Sequence, residues 1–301
     1  MAYITGSAND LAALRSALFN ACIVNGWTLS GEVIRKGNVY LRVQIAGNYL
    51  TFMGGTGIDG SNNLTGTAPS AARIGRPSTS SPDLVWPLSY EIFVLTNPDE
   101  VYLICNYNVE LYQWAAFGQS TMPGLSGTGM WCGASLGSSA LGGASPISIT
   151  PTGGSSSSSS TLICPALFWS TGINGNSDVN SFIQHGLDGN AWSNSTYITT
   201  GFRAAATLLN ELPNNWNSES VLVPIQVFVP RTSGNKMSML ADLAHARYLR
   251  IDNHAPGEII TLGSDRWKAY PWYKKDSANR NGGSSLTHSG TMGWAVRYDG
   301  P

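Results

Sequence analysis

Charge is scarce in this chain of 301 residues. Asp, Glu, Lys and Arg together make up 12%, about half of the ~25% usual in soluble domains. Helix surfaces are normally written in Glu, Lys and Arg, so few helices are expected. Basic residues are missing altogether from Pro77 to Phe202, a span that holds seven acids: Asp83, Glu91, Asp99, Glu100, Glu110, Asp178 and Asp188. The flanks carry all 17 basic residues and 11 acids, a net charge of +6. Such asymmetry suits a head-to-tail contact between neighbouring copies, or a middle segment solvated by Ser, Thr and Asn instead of charge.

Cysteine is also sparse. Cys22, Cys105, Cys132 and Cys164 lie far apart, with no C-x-x-C and no Cys/His cluster at zinc spacing, which excludes a disulfide scaffold and a zinc ribbon. Cys22 and Cys105 have apolar neighbours and are expected as small buried hydrophobes. A Cys132–Cys164 bridge stays open. No basic segment followed by an apolar core opens the chain, and no run of 18 apolar residues occurs; neither a secretion signal nor a membrane span is expected.

What the sequence does have is 42% hydrophobic residues, 34 Gly, 10 Trp and 12 Tyr. Leu11, Leu14, Leu18, Ala21 and Cys22 recur at helical spacing and predict a helix over Ala8 to Asn25, with Ser7 and Asp10 resembling a capping box. A meander follows: Trp27 to Arg35, Val39 to Ile45 and Tyr49 to Met53, with turns at Lys36-Gly37-Asn38 and Gly47-Asn48. Residues 54–85 read as a long loop. Ser89 to Leu95, Glu100 to Asn106 and Val109 to Phe117 read as three strands, the first two joined by a turn at Asn97-Pro98-Asp99. Residues 118–161 are of low complexity, ending in the run Ser155–Ser160. Beyond them, Val221 to Val229 reads as a strand with an edge or bulge at Pro224. Met237 to Ala246 reads as either a short helix or an extended segment. Ala246 to Ile251, Glu258 to Leu262, Asp265 to Tyr273 and Met292 to Tyr298 read as strands. The expected class is α+β, mainly β: an N-terminal helix packed on antiparallel sheets, with long Gly/Ser-rich loops. The expected organisation is a lobe at 1–117, a Gly/Ser-rich loop or linker at 118–161 and a β-rich lobe at 162–301, or one continuous domain carrying 118–161 as an insertion.

Three motifs bear on catalysis. Gly55 to Gly60 fits G-x-G-x-x-G, but SNNLTGTAPS follows where a nucleotide site needs a helix. Gly133-Ala134-Ser135-Leu136-Gly137 fits the nucleophile-elbow pattern, with His185, His245, His254 and His288 further on; its flanks are Gly and Ser instead of a strand and a helix. Gln184 to Asn190 places His185, Asp188 and Asn190 together, as a metal or acid–base corner or simply as a turn. Asp178 and Asp188 lack the context of a glycosidase carboxylate pair. No catalytic residue, metal site or cofactor is expected, and the chain reads as non-enzymatic.

The segment GSDRWKAYPWYKKD, Gly263 to Asp276, interleaves aromatic and basic residues. Strand alternation puts Trp267 and Tyr273 on one face and Lys268, Tyr270, Trp272 and Lys274 on the other. With a chain net charge of -1, a two-faced strand is favoured over a nucleic-acid grip. Arg266, Trp267, Lys268, Tyr270, Trp272, Tyr273 and Lys274 form the candidate subunit interface, since aromatics and Arg are enriched at interfaces.

Several segments together resemble a family of structural proteins from the tail and baseplate of tailed bacteriophages. They are ANDLAALRSALFNACIVNGWTLSGEVIRKGNVYLRV, YEIFVLTNPDEVYLICNYN with YQWAAFGQS, APGEIITLGSDRWKAYPWYKK and HSGTMGWAVRYDGP. The resemblance covers roughly half of the chain. It implies a virion component made in the host cytoplasm, without enzymatic activity, present in several symmetry-related copies. Its partners would be further copies and other tail proteins, with a host surface receptor as an additional candidate and neither nucleic acid nor a membrane. The alternative is a receptor- or carbohydrate-binding module at the tail tip.

Overall fold

The computed structural model describes residues 1–76, 83–120, 129–137, 148–149, 162–163, 168, 180–194, 199–200, 220–232, 236–251, 253–273, 275 and 292–300. Among them the chain is mainly β with one α-helix, and all strand pairs are antiparallel. No helix among them is long and apolar enough to cross a membrane.

The chain opens with a strand that the sequence pattern did not announce, β1 (Ala2–Ala8). Helix α1 (Leu11–Ile23) follows, and its N-cap is Asp10, which accepts the Ala13 amide at 2.7 Å. Ser7 instead belongs to β1, so the expected capping box lies three residues too early. Leu14, Leu18, Ala21 and Cys22 are buried, and Gly26 takes the left-handed conformation just past the helix end. The expected strand Trp27 to Arg35 is two strands, β2 (Thr28–Ser30) and β3 (Val33–Lys36). Gly31, at φ +61°, supplies the turn that splits them. Then come β4 (Val39–Ala46) and β5 (Tyr49–Gly55). The expected loop 54–85 contains a small hairpin, β6 (Gly57–Ile58) and β7 (Leu64–Thr65), and a further strand, β8 (Ala72–Gly75). Strands β2, β3, β4, β5 and β8 form one sheet in that order.

The middle of the chain builds the central layer. It comprises β9 (Leu88–Leu95), β10 (Glu100–Asn108), β11 (Leu111–Gln119) and β12 (Met130–Ala134). Strand β12 lies inside the segment expected to be a low-complexity loop. After a two-stranded pair, β13 (Ser148–Ile149) with β14 (Leu162–Ile163), the sheet gains β15 (Ser181–Gln184) and β16 (Trp192–Asn194). Its order is β1-β9-β10-β11-β12-β15-β16. β10 and β11 are almost wholly buried, so they read as near-continuous apolar runs, as strands covered on both faces do.

The last part forms a six-stranded sheet from β17 (Thr199–Thr200), β18 (Leu222–Pro230), β19 (Met237–Arg250), β20 (Ile259–Leu262), β21 (Asp265–Pro271) and β22 (Met292–Arg297). Its order is β17-β18-β19-β22-β21-β20. Met237 to Arg250 is a single long strand, and the register of β18 shifts beside Pro224, the bulge that the missing proline amide makes natural.

One face of the central sheet presents Phe93, Tyr102 and Trp114 toward the six-stranded sheet and Trp131 to Phe168. The other presents Phe117 to Trp27, ring centroids 5.3 Å apart, and Gln113 to the backbone of Gly75. The result is three layers, with α1 and the five-stranded sheet outside on one side. Trp272 and Trp294 stack between the other two layers, centroids 5.1 Å apart and planes 11° apart. Phe168 closes on both, and one continuous hydrophobic cluster runs from Ala8 to Tyr298. That cluster crosses the boundary drawn at 118–161.

Candidate functional site

Strand β21 and the residues just past it carry the groups expected at a subunit contact. Lys268, Tyr270 and Trp272 point at the central sheet. Glu91 of β9 accepts hydrogen bonds from Tyr270 Oη at 2.8 Å, from Tyr3 Oη and from Lys268 Nζ. Lys268 also lies over the Tyr3 ring, 4.6 Å from its centroid. Burial, and then the bond to Glu91, pushes the Tyr3 phenol well above its ordinary range, so it remains a donor. Trp267 faces the opposite way, on the outer surface of the sheet, between Arg247 at 5.0 Å and Arg297 at 5.8 Å from its ring. The alternation thus separates Trp267 from Lys268, Tyr270 and Trp272 as expected. Tyr273 departs from it, because the strand ends at Pro271. Its carbonyl accepts the Tyr112 amide, and its ring lies beside Tyr107.

Trp267, Tyr270, Trp272 and Tyr273 are all buried within this one chain. Their rings pack against residues of the same chain. Arg266 is half-buried, donates to the Gly300 carbonyl and stacks on Tyr298. Lys274 lies outside the described residues. The next strand, β20, is the edge of its sheet among the described residues. Among the described residues it pairs only with β21, in the register Ile259↔Lys268 to Leu262↔Asp265. Ile259 and Leu262 are each 41% exposed there.

Much of the charge asymmetry is met within the chain. Asp83 pairs with Arg76, Glu91 with Lys268, Asp99 with Lys36, Asp188 with Arg231 and Glu100 with His245. At least five of the seven acids in the base-free segment thus meet a partner from the flanks, four of them a Lys or Arg. Asp178 lies outside the described residues. Glu100 is fully buried and accepts four bonds: Tyr102 Oη at 2.8 Å, the Ala244 and His245 amides at 3.1 Å each, and His245 Nδ1 at 2.8 Å.

The catalytic motifs resolve into structure. After Gly55 comes the β6–β7 hairpin, whose turn is organised by Asp59 accepting the Ser61 and Asn63 amides at 2.8 Å each; a nucleotide site would need a helix there. Ser135 is buried, and its Oγ accepts the Trp114 amide at 2.8 Å, so it is built into the sheet. His185 accepts the Leu187 amide on Nδ1 at 2.8 Å, which leaves the proton on Nε2, donated to Ser193 Oγ at 2.6 Å. That tautomer cannot take a proton from Ser193. Burial lowers the His185 pKa and keeps it neutral. Asp188, left-handed at φ 52°, binds Arg231 through both oxygens, which holds its carboxyl at about 2. Its folded pKa lies below the ordinary carboxylate value, so this pairing favours the fold above that value and is lost as pH falls toward 2. No group of three or more metal-ligating side chains occurs among the described residues. Cys22, Cys105 and Cys132 are free thiols, and burial pushes Cys22 and Cys132 up to about 12. Cys164 and His288 lie outside the described residues.

Six of the described tryptophans are buried, while Trp86 and Trp192 are half-exposed. Trp86 lines a recess of about 520 Å³ with Asp10, Asn48, Arg76, Asp83 and Leu84. Trp192 lines one of about 330 Å³ with His185, Asp188 and Asn190. Sequence reasoning passed over both rings, because neither sits in a run of aromatics.

Neither protein-family models nor curated proteins give a match to this chain.

Proposed function

We propose that this chain is a structural subunit of a tailed-bacteriophage virion, assembling in several copies in the tail or baseplate. The observation that carries the assembly role is the β20 edge. An edge strand offers unpaired backbone donors and acceptors, and natural proteins usually shield one with charge, proline or a covering element. Among the described residues, β20 itself carries neither charge nor proline, and Ile259 and Leu262 are exposed on it. Adding a strand from a neighbour would satisfy the backbone groups and cover both side chains. The phage identity rests on the resemblance of four segments, two of which, APGEIITLGSDRWKAYPWYKK and HSGTMGWAVRYDGP, contribute β20, β21 and β22. A heterologous contact of this kind builds rings when its rotation closes.

The double substitution Ile259→Lys with Leu262→Lys tests the role. Light scattering on the full chain is expected to show self-association in the parent and a monomer in the variant, with unchanged circular dichroism. A parent that stays monomeric at every concentration and in the presence of other tail proteins counts against assembly through this edge.

The Trp86 recess favours a second reading, a glycan receptor site at the tail tip. A half-exposed indole beside carboxylate, amide and guanidinium groups can stack a sugar ring and hold its hydroxyls. On that reading Trp86→Ala abolishes saturable binding to host surface glycans without changing assembly. Glycan binding that is absent in the parent, or untouched by the substitution, removes it.

A further inference from the structure

We propose that Ser220, His254 and Glu258 form a nucleophilic triad that transfers the acyl group of a small carboxylic ester. This goes beyond the assembly role and does not depend on it.

Topology brings the three residues together. β18 and β19 pair in the register Leu222↔Leu249. Continued outward, that register sets Ser220 beside Ile251, just past the end of β19 and close in sequence to His254. The turn is fixed by the His254 amide on the Ile251 carbonyl at 3.1 Å and by the Glu258 amide on the Ala255 carbonyl at 3.0 Å. His254 is buried, whereas Ser220 is only half-buried.

The hydrogen bonds dictate the tautomer. His254 Nδ1 lies 2.9 Å from Glu258 Oε1, and Glu258 Oε2 accepts the Ala255 amide at 2.9 Å. A carboxylate only accepts, so Nδ1 carries the proton and Nε2 keeps its lone pair. Ser220 Oγ lies 2.8 Å from that Nε2 and donates to it. This is the reverse of His185, whose Nδ1 is occupied by an amide. Partial burial would raise the Glu258 pKa, but the bonds from His254 and the Ala255 amide lower it overall, which keeps the carboxylate ionised. Base, orienting group and hydroxyl therefore stand in the relation that nucleophilic catalysis by serine requires.

The step balances without a cofactor. Ser220 Oγ bonds to the ester carbonyl carbon as its proton passes to His254 Nε2, and Glu258 stabilises the imidazolium. The ester C–O bond then breaks, and the alcohol leaves with the proton from Nε2. Water, deprotonated by the same nitrogen, releases the acid and restores Ser220.

Incubation of the full chain with a fluorophosphonate probe, followed by peptide mapping, tests the proposal. Ser220 should be modified at least about tenfold faster than the serines of the run Ser155–Ser160, an internal reference. His254→Gln should slow it by roughly 100-fold or more, as loss of a general base does. Glu258→Gln should also slow it, and Ser220→Ala should abolish both this labelling and the hydrolysis of p-nitrophenyl acetate. Melting curves establish that each variant is folded. Labelling of Ser220 no faster than the reference serines, or unchanged in folded His254→Gln, would show that the three residues only anchor the loop and overturns the proposal.

Discussion

Replacing Glu100 with Ala should lower the melting temperature by roughly 5–8 °C, the consequence of losing about 3–5 kcal/mol from a chain of this size. Glu100 is fully buried and receives four hydrogen bonds, three of them from β19 in the facing sheet. Removing the carboxylate leaves the Ala244 and His245 amides and the Tyr102 hydroxyl without their acceptor in the interior, and a buried donor left unpaired costs its full desolvation. Glu100→Gln should cost less. Its carbonyl can take over the Tyr102 and His245 donors that share Oε2, while its amide nitrogen confronts the Ala244 amide that used Oε1. Thermal melts of the two variants check both size and order; equal stability of Glu100→Ala and the parent would contradict the interlocked layers.

Trp294→Ala should be comparably severe, at about 3–5 kcal/mol. Its ring is fully buried, stacks on Trp272 and lies within 6.3 Å, centroid to centroid, of Tyr102, Trp114, Phe168 and Tyr270. Truncation opens a cavity bounded by rigid rings, which cannot collapse to fill it. Trp294→Phe should recover part of the loss. The clustered indoles give an independent signal: exciton coupling in circular dichroism should weaken in both variants and in Trp272→Ala, where only Trp114 stays beside the remaining indole. A spectrum unchanged in all three variants would place the two rings apart.

Which parts of this were legible in the sequence follows from how far each signal reaches. Helix α1 and strands β9, β10 and β11 showed through local periodicity and turn chemistry. Strand β1 did not, because AYITGSA alternates weakly and gains its place by pairing with β9, some 85 residues on. Strand β12 was hidden by composition: its Gly133 and Ala134 looked like loop, yet a side chain at 133 would meet Ser181 of β15. The aromatic strand was recognised as two-faced, but not that both faces are covered by its own chain. Lys268 finds Glu91 across 177 positions. Separation in sequence likewise concealed the Lys36–Asp99 and Asp188–Arg231 pairs. His254 and Glu258 are only four residues apart, but Ser220 joins them from 34 positions away, whereas G-x-S-x-G at Gly133–Gly137, a purely local pattern, pointed to a serine buried in a sheet.

The assembly role is tested most directly by electron cryo-microscopy of the phage particle that carries this chain. The account predicts several symmetry-related copies in the tail or baseplate, each with the β20 edge, Ile259 to Leu262, covered by a neighbouring chain. A particle that lacks the chain, or shows β20 open to solvent in every copy, would contradict it.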